Sequence, residues 1–245
     1  MSSESLLPIH PSFQQERNLD LGALYFSDQF SDTAIRTIHL GAETDPGDVA
    51  QNLLEEVEEL ERIGINTIHP APVITTNGLA LVCDRLQGTN IDDEIRNGNK
   101  EATFEFGKTL AGVSTYYEKA AKQPARKSFM GDIASPNQFT WQEGRVILHD
   151  LSIPITNELG TNYANETLLM NVGFVATELA RYHTEFDPAI VEEIYKTLES
   201  TVDVLAQRLP VDKRYILLTR LIFACRDNPR ALQSIVEIYD ADLFD

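Results

Sequence analysis

SFMGDIASPNQFTWQEGRVILHD, from Ser128 to Asp150, is the stretch on which the reading of this chain turns. An apolar approach leads to Gly131-Asp132, and a short polar loop follows, ending at Pro136-Asn137. Two strand-type runs, Gln138–Gln142 and Arg145–His149, flank a Glu143-Gly144 turn, and Asp150 closes the second run. A hairpin folds back on itself, so Asn137 and Asp150 are expected side by side despite their separation in sequence. Asp132, Asn137 and Asp150 can each hold a metal or accept a proton. Their placement suits Mg²⁺, which takes oxygen ligands and shares them with phosphates. Asp and Asn also favour turns whatever their function, so the trio takes its meaning from the rest of the chain.

Upstream, Leu19–Phe26 (LDLGALYF) and Thr33–Leu40 (TAIRTIHL) read as strands, the second alternating Ala34, Arg36 and Ile38 with Ile35, Thr37 and His39. Gly41–Asp48 is a loop, with Asp48 as N-cap of a helix over Val49–Ile63. Leu53, Val57 and Leu60 form the apolar stripe of that helix, and most of its glutamates read as a solvated face. At about 100° per residue, Glu56 falls about 60° from Leu53, on the flank of the stripe, whereas Glu55 points nearly opposite. If one glutamate faces inward it is Glu56; the alternative is a charge on the helix surface. Two more strands, near Ile68–Ile74 and at Leu79–Asp84, enclose a Thr-Asn-Gly turn and complete a small sheet-plus-helix lobe; RLQG leads out of it.

Helical signals dominate from Asn90 onward. Thr103–Ala121 carries Phe106, Leu110, Val113 and Tyr117 on one side and runs into the loop QPARKS. After Asp150, residues 151–162 read as irregular, and Glu166–His183, Ala189–Leu209, Asp212–Cys225 and Pro229–Tyr239 as helices. The expected architecture is α+β and bilobal. A sheet-plus-helix lobe spans 12–86, a mostly helical lobe spans 87–245 and carries the stretch 128–150, and residues 1–11 form a frayed lead. Tyr116, Tyr117, Phe104 and Phe106 are expected in the core. Asp92-Asp93-Glu94 and the acids at 240–245 read as solvated helix ends, Trp141 as packing, and His149 as a packed or half-exposed strand residue.

Composition narrows the function classes. The chain has 245 residues, 42% of them hydrophobic and 24% charged, which is enough for a sizeable core. Its net charge of −18 repels nucleic acid and anionic membrane alike, and any phosphate site must create positive charge locally. No stretch reaches the roughly 18 apolar residues of a membrane span, and the opening MSSESLLPIHPS lacks the basic-then-apolar order of a secretion signal. The two cysteines, Cys83 and Cys225, are in no zinc or redox spacing and point to a reducing cytoplasm; the histidines form no HExxH.

GD-x4-N, then strand, turn, strand and Asp, resembles the catalytic loop and metal-binding Asp of the protein-kinase-like superfamily. The GD form is similar to the aminoglycoside and choline phosphotransferases. The resemblance implies an ATP- and Mg²⁺-dependent phosphotransferase acting on a hydroxyl of a small molecule or protein. By resemblance, Asp132 orients or deprotonates the acceptor hydroxyl, and Asn137 and Asp150 hold Mg²⁺. Arg36 takes the place of the phosphate-gripping lysine, Glu56 that of the glutamate that holds it, and Asp84–Leu86 that of the hinge that bonds adenine. The chain also departs from the pattern. Met130 stands where the loop histidine is expected, Leu151-Ser152 follows the metal Asp, FQQERNLDLG offers Gly22 alone as a phosphate loop, and no lysine precedes Lys100. An Arg36–Glu56 pair can hold the lobe together without nucleotide. These departures imply the alternative, a kinase-like (pseudokinase) binding module that meets a basic protein partner through its acidic surface.

Overall fold

Asp45 starts the helix that anchors the small lobe. Its carboxylate accepts the Gly47 N–H (2.7 Å), and Pro46 fills the first helical position, so α1 runs Pro46–Arg62. The cap is therefore Asp45 and not Asp48, which lies in the first turn, because the proline's fixed φ already suits a helix. Val49, Ala50, Leu53, Glu56, Val57 and Leu60 make the buried face of α1. That face packs beside a five-stranded antiparallel sheet of order β1-β2-β3-β6-β5: β1 Gln14–Leu19, β2 Gly22–Phe26, β3 Thr33–His39, β5 Ala71–Thr75 and β6 Gly78–Asp84. The computed structural model describes residues 11–19, 22–41, 43–75, 78–151, 153–156, 161–209 and 214–235. The lead 1–10, residues 76–77 of the Thr-Asn-Gly turn, parts of the segment after Asp150, the start of the helix at 212–213, the end of the last helix and the terminal acids lie outside them.

Other features differ from expectation as well: Phe104, expected in the core, is exposed. The polar run QQERNL is a strand, β1, paired with β2; Gln14 and Gln15 at its start are exposed, so this sheet-edge strand has no apolar alternation there to betray it. The apolar segment after Gly64 is split. β4 (Asn66–Thr67) leaves the small sheet and pairs in parallel with β10 (Arg145–Leu148), while β5 begins only at Ala71.

The second lobe is built on helices. β7 (Thr89–Asn90) and α2 (Ile91–Arg96) lead into α3 (Lys100–Lys122), which is followed by β8 (Ser128–Phe129), β9 (Phe139–Gln142), β10, β11 (Ile155–Thr156), α4 (Thr161–Tyr182), α5 (Pro188–Ala206) and α6 (Arg214–Cys225). A helical segment at 229–235 ends the described chain. Phe106 of α3 sits at the centre of an aromatic cluster, with Phe139, Tyr182 and Phe186 at ring-centroid distances of 5.6–6.1 Å. Asp92 is not a merely solvated helix end: it accepts a hydrogen bond from the Tyr182 hydroxyl and pairs with Arg96. The chain is thus bilobal and α+β, and no helix among the described residues is long and apolar enough to cross a membrane.

Candidate active site

The hairpin β9–β10 does what its turn dictates. Glu143 (φ 52°) and Gly144 (φ 75°) both lie in the left-handed region, the turn whose twist matches a tight antiparallel pair. Phe139 faces Leu148 in the ladder, and the His149 N–H donates to the Gln138 carbonyl (2.9 Å) one step further. Asn137 and Asp150 flank that bond. Asn137 is exposed in the 3₁₀ turn Pro136–Gln138, while Asp150 lines a cleft between the lobes.

The loop before the hairpin is held by side chains. The Asp132 N–H donates to Asn171 Oδ1, whose Nδ2 is itself tied to the Thr167 carbonyl (2.8 Å). The N–H groups of Met130 and Ile133 donate to the hydroxyls of Tyr116 and Tyr117. Asp132 has φ 48°, a conformation uncommon outside glycine that Asp tolerates better than most residues. A Cβ on Gly131 would come within 2.7 Å of Ile155 Cδ1, so a larger residue there would push the end of the Ile155 side chain aside. Asp132 is exposed as a residue, yet partial desolvation of its carboxyl pushes its pKa above the ordinary value, and the negative charge of Asp150 adds to the shift; a hydrogen bond from the Gln138 side chain opposes it.

Arg36, on β3, reaches across the cleft. Its Nη1 donates to Asp150 Oδ1 and to the Leu151 carbonyl (2.9 Å), and its buried Nε has no hydrogen-bond partner among the described residues. The anticipated Arg36–Glu56 pair does not form. Glu56 is buried, as its angle to Leu53 allows, but its carboxylate takes Tyr116, Arg126 and Ser128 (2.8 Å) instead. Asp84 and Leu86 line the same cleft of about 270 Å³ as Arg36 and Asp150. Between them, the Arg85 N–H donates to the Asp32 carbonyl (2.8 Å), and the guanidinium lies over the Phe26 ring at 4.3 Å. His149, half-buried beside Asp150, has its Nδ1 3.0 Å from Thr140 Oγ1; burial is the main cause of its lowered pKa.

Arg36, Asp84, Leu86 and Asp150 therefore meet along one cleft, with Asp132 in electrostatic reach of Asp150; Glu56 belongs to another network. A small sheet with one helix, a connector, and a helical lobe carrying a GD loop and a hairpin ending in Asp make up one layout. That layout resembles the protein-kinase-like fold. No protein-family model matches the chain, and no curated protein does. Among solved structures, the chain is similar to the amicoumacin kinase hAmiN in complex with AMP-PNP, Ca²⁺ and Ami, at 10% identity over 92% of this chain and 88% of that one, with a TM-score of 0.41. It is also similar to a Neurospora crassa PAN3 pseudokinase mutant, at 12% identity over 98% of this chain and 70% of that one, with a TM-score of 0.43.

The residues that clamp the loop were not singled out from the sequence. Asn171 left a signal: it is the polar residue inside the apolar run LLMNVGFVA, where a fully buried amide needs a partner. Tyr116 and Tyr117 are core, as expected, but their hydroxyls also hold the loop, and Arg126, in the loop QPARKS, lies in no periodic pattern that points to Glu56.

Proposed function

We propose that the cleft takes ATP with a divalent cation, Mg²⁺ by its chemistry, and that the chain moves the terminal phosphoryl group to a hydroxyl acceptor. The observation that supports this most is the meeting of Arg36 and Asp150 in the cleft while the Asp132 carboxyl is held, on strained backbone, in reach of the same Asp150 charge. In the proposed step the acceptor hydroxyl gives its proton to Asp132. Its oxygen bonds to the γ-phosphorus, and the bond from that phosphorus to the bridging oxygen breaks, releasing a nucleoside diphosphate. Arg36, with an Nε–H that has no hydrogen-bond partner among the described residues, would contribute charge and a fork of donors to the phosphates.

The donor set fits a cation that arrives with phosphate. Among the described residues no three His, Cys, Asp or Glu side chains gather as a self-sufficient metal site. Mg²⁺ needs only one or two carboxylates when phosphates complete its shell, and Asp150 and Asn137 are the residues that would hold it. The bound cation would neutralise the charge that develops on the phosphates. A cationic hydroxyl acceptor suits the −18 net charge of the chain.

A second reading, the catalytically silent kinase-like module that binds a basic protein, draws on a specific observation. Arg36 already rests on Asp150, and Glu56 is engaged elsewhere, so the cation of β3 is spent inside the protein. Thermal-shift titration with ATP and Mg²⁺, on the wild type, Asp150→Ala and Arg36→Met, tests both. A wild-type shift lost in Asp150→Ala supports the nucleotide site. No stabilisation by ATP with any divalent cation overturns the phosphotransferase and leaves the binding module.

A further inference from the structure

Glu56 stands at the end of a chain of contacts that leads to the proposed base. Its residue is 4% exposed, and three donors converge on its two oxygens: Tyr116 and Arg126 on Oε2, Ser128 on Oε1. A carboxylate only accepts, so the Tyr116 proton must point at Glu56. That orientation turns a lone pair of the Tyr116 hydroxyl toward the Met130 N–H, two residues before Asp132. Arg126 braces the arrangement, donating through Nε to the Ser128 carbonyl (2.7 Å) and lying over the Tyr116 ring at 4.8 Å. The loop itself has no ladder at Met130–Ile133. Its N–H groups at 130, 132 and 133 all end on side chains of α3 and α4.

We infer that Tyr116 is a positioning residue for the Asp132 loop and that Glu56 is its anchor, so that α1 sets the loop through Glu56–Tyr116–Met130. This route runs past Arg36 altogether. The contact chain stands on geometry alone; its relevance to phosphoryl transfer rests on the reading of Asp132 given above. It makes α1 a lever on the loop, since a shift of the helix withdraws the acceptor that orients the Tyr116 hydroxyl.

The test is residue-resolved amide exchange on the full chain, for the wild type, Tyr116→Phe, Tyr117→Phe and Glu56→Gln, with the ATP–Mg²⁺ thermal shift recorded on each. Tyr116→Phe keeps the ring and removes only the hydroxyl, and it is expected to speed exchange at Met130 about tenfold. Tyr117→Phe is expected to affect Ile133 and spare Met130. Glu56→Gln is expected to speed exchange at Met130 although it does not touch that amide, an effect that packing by Tyr116 alone would not produce. If Glu56→Gln does not fold, Glu56→Gln/Arg126→Gln removes both buried charges together and carries the same expectation. A Met130 rate within about twofold of wild type in Tyr116→Phe overturns the role of Tyr116, and the same result in the Glu56 variants overturns the link to α1. The nucleotide shift is expected to survive in Tyr116→Phe, whose site at Arg36 and Asp150 is intact. Its absence from the wild type would remove the phosphotransferase reading and leave the exchange result to decide the contact chain.

Discussion

Asp132 sits at φ 48° with its carboxyl partly withdrawn from water and under the influence of Asp150, so its charge opposes folding at neutral pH. Because its pKa lies above the ordinary 3.8, the folded chain binds this proton more tightly than the unfolded chain does. The stability it contributes is complete below the ordinary value and is lost as pH rises through the raised one. Asn keeps the shape, tolerates the left-handed backbone and carries no charge. Asp132→Asn is therefore expected to be more stable than wild type at pH 7, with the difference vanishing on acidification below about pH 4, while the proposed phosphoryl transfer is lost. Urea midpoints measured across that range check it; a variant less stable than wild type at neutral pH would contradict the sign. Glu56 marks where sequence stops being legible at this scale. Its angle to Leu53 marks it as the glutamate of α1 best placed to face inward, because that depends only on the helix repeat. Its partner does not follow, because the meeting of α1 with Arg126 and Tyr116 is made by tertiary packing between segments 60 and 70 residues apart.

Among the elements, the hairpin β9–β10 was readable because its signals are local: apolar runs, a Gly in the turn, and an Asp at the end. Strand β1 was not, since an edge strand can be polar throughout, and β4 was hidden because two residues pairing in parallel with a distant strand leave no period to detect. The hairpin also carries a correctable cost. Glu143 occupies a left-handed position at φ 52°, which Asn adopts more readily. Glu143→Asn would create the Asn-Gly pair preferred in this turn and is expected to stabilise the chain by roughly 0.5–1 kcal/mol. Chemical denaturation of the variant against wild type measures this, and a loss of stability would show that the Glu143 side chain matters more than its backbone. The ends of the hairpin, which carry Asn137 and Asp150, are untouched, so the proposed nucleotide binding should be unchanged.

At the scale of the whole molecule, the two lobes share one interior. The buried apolar cluster runs without a break from Ile38 and Leu53 in the small lobe to Phe106 and Leu198 in the large one, and β4 stitches the first lobe to the hairpin of the second. Arg36–Asp150 and Glu56–Arg126 are further ties between the lobes. Cut at 86/87, the small lobe would lose the packing of α1 against α3 and β8 and leave Glu56 without Tyr116, Arg126 or Ser128. The exposed apolar surface and the lost network would together cost several kcal/mol, a large share of the roughly 5–15 kcal/mol that holds a domain folded. Residues 12–86 alone are thus expected not to fold, and the full chain to unfold in a single transition. Trp141, packed against the common core near the junction, reports on tertiary structure by fluorescence, and far-UV circular dichroism on the helices. The two urea curves should coincide. Separate midpoints, or a cooperative transition in the isolated 12–86 fragment, would mean that the lobes are independent units and that the ties across the cleft form only after each has folded.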